Sequence, residues 1–525
     1  MSLQRREWFV MTEFELKFEV STASLKGVAA AMREGKVTRQ RLQASYFDTA
    51  DGALAARGIS VRLRKEGRRW MQTAKGPTGD LLERLEHNAA VPPRSGNTLP
   101  VLDLARHLGT PIGRAIDKAL GRNTADNYPE LSLQFGTDIQ RITRQIACGA
   151  SVVEIALDQG RVFSGNHSQT ICELEVELKT GAPADAVALA RQWCADHRLC
   201  MSTISKAMKG QRLRSATAVA ADASTNSPKF ARHASRQDMF IAAVKSCLCQ
   251  ILPNVSELAN GGNHHEHVHQ LRVGIRRLRT AMRELGGLAN AEEPAWDAVL
   301  VQAFRALGAH RDSSYLALVL QPQLLAAGGP DMPTRIDSSD IPDPGYTVRT
   351  PEFQEMLIGL VGLVHRQAFE GEKWLKTGKA DKGIVAPDGL KKTLSLRLDK
   401  LHRRALRQGK KFLTLSEAQQ HDVRKRLKRL RYLIEFAAPL FANHDVKTMT
   451  TALKPVQEAL GRYNDELMAL HAQRAAVEAS PNAWFGVGWL AARKQSNAKR
   501  CLKAIKAFAE LKPFWHRYLP LIVLE

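Results

Sequence analysis

EFELKFEV, residues 13–20, alternates charged and apolar side chains with a period of two. In an extended strand this spacing turns Glu13, Glu15 and Lys17 to one face and Phe14, Leu16 and Phe18 to the other. Taken alone, such a stretch is an amphipathic strand with its charged face in water. Its neighbours share the pattern. ISVRLRK (59–65), RWMQTAK (69–75), SVVEIALD (151–158) and ICELEVELK (171–179) also alternate. Arg62 and Arg64 share a face, as do Glu154 and Asp158, and so do Glu173, Glu175 and Glu177. Helical patterning falls between the strands, at 24–34, 101–121 and 184–198. The region from Thr12 to about Leu178 therefore predicts a mainly antiparallel sheet with a few helices.

Acidic and basic strands together in one small sheet suit a closed barrel with a polar interior. Three carboxylates on one face repel unless cations sit among them. Clustered carboxylate oxygens are what Mg²⁺ or Mn²⁺ requires. Arg and Lys on neighbouring strands would hold a phosphate chain opposite the metal. In-line attack of water on a terminal phosphoryl group needs charge neutralisation and no serine or cysteine nucleophile. The chain has no Walker A loop and no G-x-G-x-x-G.

Glu13-x-Glu15-x-Lys17 is similar to the E-x-E-x-K signature of the CYTH family, the triphosphate tunnel metalloenzymes. Further stretches follow in the family's order: SYFDT (45–49), VRLRK (61–65), WMQTAK (70–75), ERLE (83–86), FGTDIQR (135–141), VEIALD (153–158), CELEVEL (172–178) and SK (205–206). The resemblance covers about 11–211 and implies an eight-stranded antiparallel tunnel that binds triphosphate compounds with a divalent metal. Carried onto this chain, it implies metal ligands among Glu13, Glu15, Glu173, Glu175 and Glu177, with Glu175 and either Glu173 or Glu177 favoured on the acidic strand 173–177. It implies phosphate contacts at Lys17, Arg62, Arg64, Lys75, Arg84, Arg141 and Lys206. Glu86, Glu154 and Asp158 would complete the acidic lining and support a second metal or the attacking water.

Beyond this region the sequence changes character. SATAVAADASTNSP (215–228) is small and polar and reads as a linker. From 229 to 525 long helical patterns dominate, interrupted by a Gly-, Pro- and Asp-rich stretch at 328–351 that reads as a long loop. A weak repeat runs through this half. VHQLRVGIRRLRTAMREL (268–285) resembles QHDVRKRLKRLRYLIEFA (420–437), and LGAHRDSSYLAL (307–318) resembles LGRYNDELMALH (460–471). His269, Arg272, Arg276, Arg279 and Arg283 fall on one helical stripe, with Val268, Leu271, Ile275, Leu278 and Met282 forming an apolar one. His421, Arg424, Lys428 and Arg431 repeat the basic stripe. Like charges stacked on a helix repel by a few tenths of a kcal/mol per pair. Their recurrence suggests that an anion compensates them.

HQLRVGIRRLR (269–279), LGAHRD (307–312), HDVRKRLKRLRY (421–432) and LGRYND (460–465) resemble the CHAD domain, which often follows CYTH. The resemblance covers roughly 229–520. It implies a two-part helical bundle whose basic surface binds inorganic polyphosphate, with His402, Arg403, Arg404 and Arg407 as further contributors. The expected architecture is thus α+β: a barrel domain at 1–214, a linker at 215–228 and an all-α bundle of two related halves at 229–525. The expected activity is metal-dependent hydrolysis of inorganic triphosphate, by resemblance to the bacterial inorganic triphosphatases that join the two domains. Thiamine triphosphate, or ATP as a cyclase substrate, are the family's other choices. A non-catalytic polyphosphate- or granule-binding protein is the alternative of another class.

The composition agrees with polyanionic partners. The 525 residues carry 76 Lys+Arg against 53 Asp+Glu, a formal charge of +23. Residues 1–226 hold 31 against 24, and 227–525 hold 45 against 29 with 12 of the 16 histidines. Inorganic triphosphate and long-chain polyphosphate are the expected partners. Nucleic acid is disfavoured because the basic stretches lack interleaved aromatics for base stacking. His265-Glu266-x-x-His269 fits H-E-x-x-H, but a zincin needs both histidines on one formed face plus a third ligand, and EAQQH (417–421) keeps only the last histidine. Seven cysteines without a C-x-x-C pair read as thiols in a reducing compartment. With no secretory h-region at the start and no uninterrupted apolar span, a cytoplasmic protein is expected, one that would associate with polyphosphate granules.

Overall fold

The computed structural model describes residues 12–79, 82–92, 99–121, 128–215, 227–231, 234–262, 264–288, 296–331, 341–365 and 387–519. They fall into two compact units, one within 1–220 together with 354–370, the other within 221–353 and 371–525.

The first unit is an eight-stranded antiparallel barrel. Its elements in chain order are β1 (Thr12–Glu19), α1 (Thr22–Ala31), β2 (Val37–Asp48), β3 (Ser60–Glu66), β4 (Arg69–Pro77), β5 (Glu83–Val91), α2 (Pro111–Ala119), β6 (Ser132–Cys148), β7 (Ser151–Ser164), β8 (His167–Thr180), α3 (Pro183–His197), β9 (Cys200–Met201) and α4 (Lys206–Ser215). The strand order β5-β4-β3-β2-β6-β7-β8-β1 closes because β1 pairs back onto β5, Glu13 lying opposite Arg84. The short β9 adds to the same strand.

Closure makes the alternation of β1 decisive. Phe14, Leu16 and Phe18 are buried on the outer face, where α3 packs on β1 and β8. Glu13, Glu15 and Lys17 consequently line the inside. A second apolar cluster, Leu54, Ile59, Val61, Ala74, Leu104, Ile112 and Ile116, seats α2 on the outer wall. The barrel also has an apolar portion formed by Leu42, Ala44, Tyr46, Phe135, Ile139, Val162 and Ile171, against which Ala207 and Leu213 of α4 pack. At Gly210 a Cβ would lie 2.1 Å from the Phe135 ring, so only glycine lets α4 approach this closely. β5 and β6 lack clean alternation because polar residues interrupt it, and these strands, with β2, are marked only through the family's order.

The second unit contains α5 (Arg236–Ala259), α6 (His265–Leu285), α7 (Trp296–Tyr315), α8 (Gln321–Ala326), α9 (Pro344–Arg349), the start of α10 (Pro351–Val364), α11 (Pro387–Gly409), α12 (Glu417–Ala437), α13 (Asn443–Ala476) and α14 (Ala483–Ala509). The long loop expected at 328–351 needs correction. Asp343 caps α9 by accepting from Gly345 N and Tyr346 N, with Pro344 at the first helical position, and α10 begins at Pro351. Residues 332–340 of that stretch, and 216–226 of the expected linker, lie outside the described residues.

The repeat has a structural counterpart. α6 and α12 are both 21 residues long and pack on one another. Val268, Leu271, Ile275 and Leu278 are buried, as are Val423, Leu427 and Leu430. α5 is long and apolar enough to cross a membrane, but 72% of its apolar window is buried, the character of a core helix packed on α6.

Candidate functional site

Inside the barrel is a cavity of about 780 Å³. Glu13, Glu15 and Lys17 from β1 line it, with Arg62 and Arg64 from β3 and Lys75 from β4. Arg84 and Glu86 enter from β5, Arg141 from β6, Glu154 and Asp158 from β7, Glu173, Glu175 and Glu177 from β8, and Lys206 from α4. All the tunnel positions expected from the sequence thus meet in one space.

The register explains their pairing. Glu15 lies opposite Glu177, Glu154 opposite Glu177, and Asp158 opposite Glu173. Like charges directly opposite destabilise a sheet, so cations must stand between them. Arg141 donates to Asp158 through Nε and Nη2, both at 2.6 Å, and its Nη2 reaches Glu175 at 2.5 Å. The Lys206 ammonium lies 2.7 Å from Asp158 and 2.6 Å from Glu175, and also contacts Glu173. Lys179 bridges Glu177 at 2.7 Å and Glu154 at 3.3 Å. Lys75 bridges Glu13 at 2.6 Å and Glu86 at 2.9 Å, while Asn88 Nδ2 donates to Glu86 at 2.9 Å.

Geometry separates the three β8 glutamates. Glu173 and Glu175 gather with Asp158, their ligand atoms within 4.8 Å of one another. Glu177 stays with Glu154 on Lys179. Charge compensation differs around the tunnel. Burial pushes the Glu175 carboxyl up, but Lys206 and Arg141 outweigh it and hold it well below the usual range. Glu173 is lowered too, because Lys206, Lys17 and Lys209 overcome its burial. Glu13 instead rises to about 9, through burial that Lys75 only partly offsets and through the neighbouring Glu86 and Glu15. Glu15 rises through burial and the charge of Glu175. Glu13, Glu15, Glu173 and Glu175 together offer a hard oxygen donor set that could hold a divalent cation.

Opposite them, the tunnel offers donors. Arg62 Nη1 donates to Tyr46 OH at 3.1 Å, while its buried Nε has no partner among the described residues. Arg64 is paired with Glu66, and Arg84 lines the same cavity. Lys17 lines the cavity and donates one of its three N–H groups to the Ile204 carbonyl. Lys209, Lys179, Glu19 and Tyr46 belong to this network but were not singled out from sequence. Lys179 continues the face of Glu173, Glu175 and Glu177, and Lys209 lies one helical turn beyond Lys206. Both spacings were available signals.

The helical unit holds a second cavity, of about 670 Å³, between α6, α7, α12 and α13. His269, Arg272, Arg276, Arg279, His421, Arg424 and Lys428 line it. Its cations are poorly compensated. Lys428 falls to about 6 through burial and the repulsion of Arg276 and Arg424. Arg272 falls to about 10, chiefly through burial, with Arg276, Arg311 and Arg424 adding repulsion against Asp312. Arg272 Nη1 and Arg424 Nε are buried without partners among the described residues. Arg272 stacks over Phe304 at 4.4 Å, and His421 Nδ1 pairs with Asn464 Oδ1 at 2.8 Å. Such orphaned donors invite an anion.

Two expected members stand elsewhere. His402 is buried against Phe508 and Trp515, with ring centroids at 5.6 and 5.4 Å, because its side of α11 packs on α14 and the C-terminal turn. Arg431 turns away from the groove to Glu435 at 2.6 Å and Gln457 at 2.8 Å. Arg279 lines the groove but is held by Asp297 at 2.7 Å. In the H-E-x-x-H stretch, His265 is exposed at the first turn of α6 whereas His269 faces the groove.

Comparison with known proteins agrees with both halves. The chain is 28% identical over 173 residues to an inorganic triphosphatase of Haemophilus influenzae, a match spanning 33% of this chain and 45% of that relative. The CHAD domain structure from the plant Ricinus communis is 23% identical with a TM-score of 0.44, covering 55% of this chain and 96% of that one. The PH1012 protein of Pyrococcus horikoshii OT3 is 15% identical with a TM-score of 0.22, covering 35% of this chain and 88% of that one. The CYTH domain model matches residues 11–210 and the CHAD domain model residues 242–474. On the two domain models, the barrel is a CYTH domain and the helical region that follows it a CHAD domain.

Proposed function

We propose that the tunnel hydrolyses inorganic triphosphate to diphosphate and phosphate with a divalent metal, Mg²⁺ or Mn²⁺, and that the helical groove binds long-chain polyphosphate. The observation that carries the first half is that Glu13, Glu15, Glu173 and Glu175 line one closed barrel together with Arg62, Arg64, Lys75, Arg84 and Arg141. The triphosphatase from Haemophilus influenzae supports the same reaction class.

Glu13 and Glu15, with Glu173 and Glu175, would hold the metal, which when bound supplies Lewis-acid stabilisation of the phosphoryl oxygens. The remaining work falls to side chains. Arg62, with an unused buried Nε, and Arg64 and Arg84 hold the phosphate chain along the tunnel. Glu86, fixed by Lys75 and Asn88, orients the attacking water. Water adds to the terminal phosphorus, the bridging P–O bond breaks, and diphosphate leaves. The many cationic side chains of the cavity suit a compact, highly charged chain such as inorganic triphosphate.

Phosphate release from tripolyphosphate and from ATP, with Mg²⁺ or Mn²⁺ and full-length protein, tests the assignment. Faster release from tripolyphosphate is expected. Faster formation of cyclic AMP, or faster turnover of thiamine triphosphate, would overturn the substrate choice. For the groove, long-chain polyphosphate should compete against single-stranded RNA at matched salt, consistent with a place at polyphosphate granules.

A further inference from the structure

Lys206 is the first residue of α4, and its ammonium stands among the three carboxylates that come closest to forming a metal seat. It lies 2.7 Å from Asp158 and 2.6 Å from Glu175, with Glu173 as its third partner. Lys209, one turn further along α4, holds Glu173 from the other side at 3.4 Å and Glu19 at 2.8 Å. The helix itself is fixed, with Gly210 pressed on Phe135 and Ala207 and Leu213 in the apolar cluster. Lys206 is therefore aimed at the acidic cluster by a helix that has little room to shift.

An ammonium and a divalent cation cannot share the same carboxylate oxygens at hydrogen-bond distance, because the two positive charges would repel at short range in a poorly solvated space. Arg141 is the less mobile of the two cations, since its planar fork grips Asp158 through two bonds. The lysine is a point charge on a flexible stem and can rotate without moving α4.

We infer that Lys206 is an exchangeable counter-ion: with Asp158 as its anchor it holds Glu173 and Glu175 in the substrate-free tunnel, and it is released toward phosphate when a divalent cation takes those two glutamates. Lys206 is thus a positioning residue that makes metal loading and phosphate capture one coupled event. The inference rests on the metal-dependent reading of the tunnel.

Calorimetric titration of the full-length protein with Mn²⁺, without substrate, tests it. Lys206→Met should bind Mn²⁺ at least tenfold more tightly than wild type, or bind one additional ion. Lys206→Arg, which keeps the charge, should bind as wild type does. Adding Glu175→Gln to Lys206→Met should cancel the gain. If Lys206→Met binds Mn²⁺ with wild-type affinity and stoichiometry, the inference is overturned. Should that variant not fold, labelling of the wild-type amine with acetic anhydride, read by peptide mass spectrometry, replaces it. Lys206 labelling should rise at least threefold on Mn²⁺ addition, and unchanged labelling overturns the exchange. Tripolyphosphate hydrolysis that persists undiminished in EDTA would instead remove the metal-dependent reading itself, a result distinct from unaltered Mn²⁺ binding in an enzyme that needs metal.

Discussion

Arg141 grips Asp158 through two parallel hydrogen bonds of 2.6 Å, and Asp158 is fully buried. Stripping a buried charge of its sole partner costs about 3–5 kcal/mol, and loss of Arg141 would leave Asp158 with Lys206, so a smaller part of that cost applies here. Arg141→Ala should therefore lower the melting temperature of the barrel unit. Arg141→Lys, which keeps the charge but loses the fork, should fall between Ala and wild type. Thermal melts of full-length protein followed by circular dichroism will rank the three. An Arg141→Ala melt equal to wild type would show that the pair is not structural.

Glu13 and Glu15 face the tunnel beside Lys75 without full charge compensation. Glu13→Gln and Glu15→Gln should each lower kcat for tripolyphosphate by about 10²–10³, the loss typical of removing one pre-organised electrostatic partner. Phosphate release assayed across Mn²⁺ concentrations checks this. Wild-type turnover in Glu13→Gln would favour a non-catalytic barrel.

The groove makes a contrasting prediction. Arg424 lines it with an unpartnered Nε, whereas Arg431 is tied to Glu435 and Gln457 outside it. Arg424→Ala should weaken polyphosphate binding and make its salt dependence shallower, by about one unit of slope per lost phosphate contact. Arg431→Ala should leave both nearly unchanged. Fluorescence titrations at several salt concentrations discriminate the two variants.

Lys428 provides a pH signature. Its pKa is lowered to about 6 by burial, Arg276, Arg424 and Arg431, against the charge of Asp465. Between about 6 and the ordinary lysine value the free groove holds a neutral amine, and a bound polyanion would restore its proton. Affinity should be highest below pH 6 and decline as pH rises. At pH 8, calorimetry in two buffers of different ionisation enthalpy should reveal proton uptake, which Lys428→Met abolishes.

His402 should report on stability rather than binding. Burial lowers it to about 4, so between its ordinary value and 4 the unfolded chain takes the proton more readily than the folded one. Stability supplied by the neutral ring is present above this window and is lost as pH falls through it. His402→Phe should flatten the loss in acid melts while leaving polyphosphate affinity unchanged.

Much of the tunnel was legible because a strand has only two faces. Once Phe14 and Leu16 were taken as core, Glu13 and Glu15 had to share the opposite face, which barrel closure makes the inside, and the same logic placed Arg62 with Arg64 and aligned the β8 glutamates. The groove was legible for the same reason at helical spacing: His269, Arg272 and Arg276 follow one stripe. Periodicity stops at the single element. Arg431 keeps the helical spacing of Arg424 and Lys428, yet Glu435 and Gln457 draw it aside. His402 sits among basic residues in sequence, but α14 and Trp515 enclose it.

The chain's own order of residues determined the alternating faces of the strands, the duplicated basic stripes and the concentration of positive charge, since these depend on backbone geometry that every strand or helix shares. Tertiary structure alone decided that Glu173 and Glu175, rather than Glu177, gather with Asp158, and that Lys206 stands among them. Those pairings depend on barrel closure and on the seat of α4 against Phe135. They join residues far apart along the chain through Coulomb forces that act over a few ångströms, and no local pattern encodes such distances.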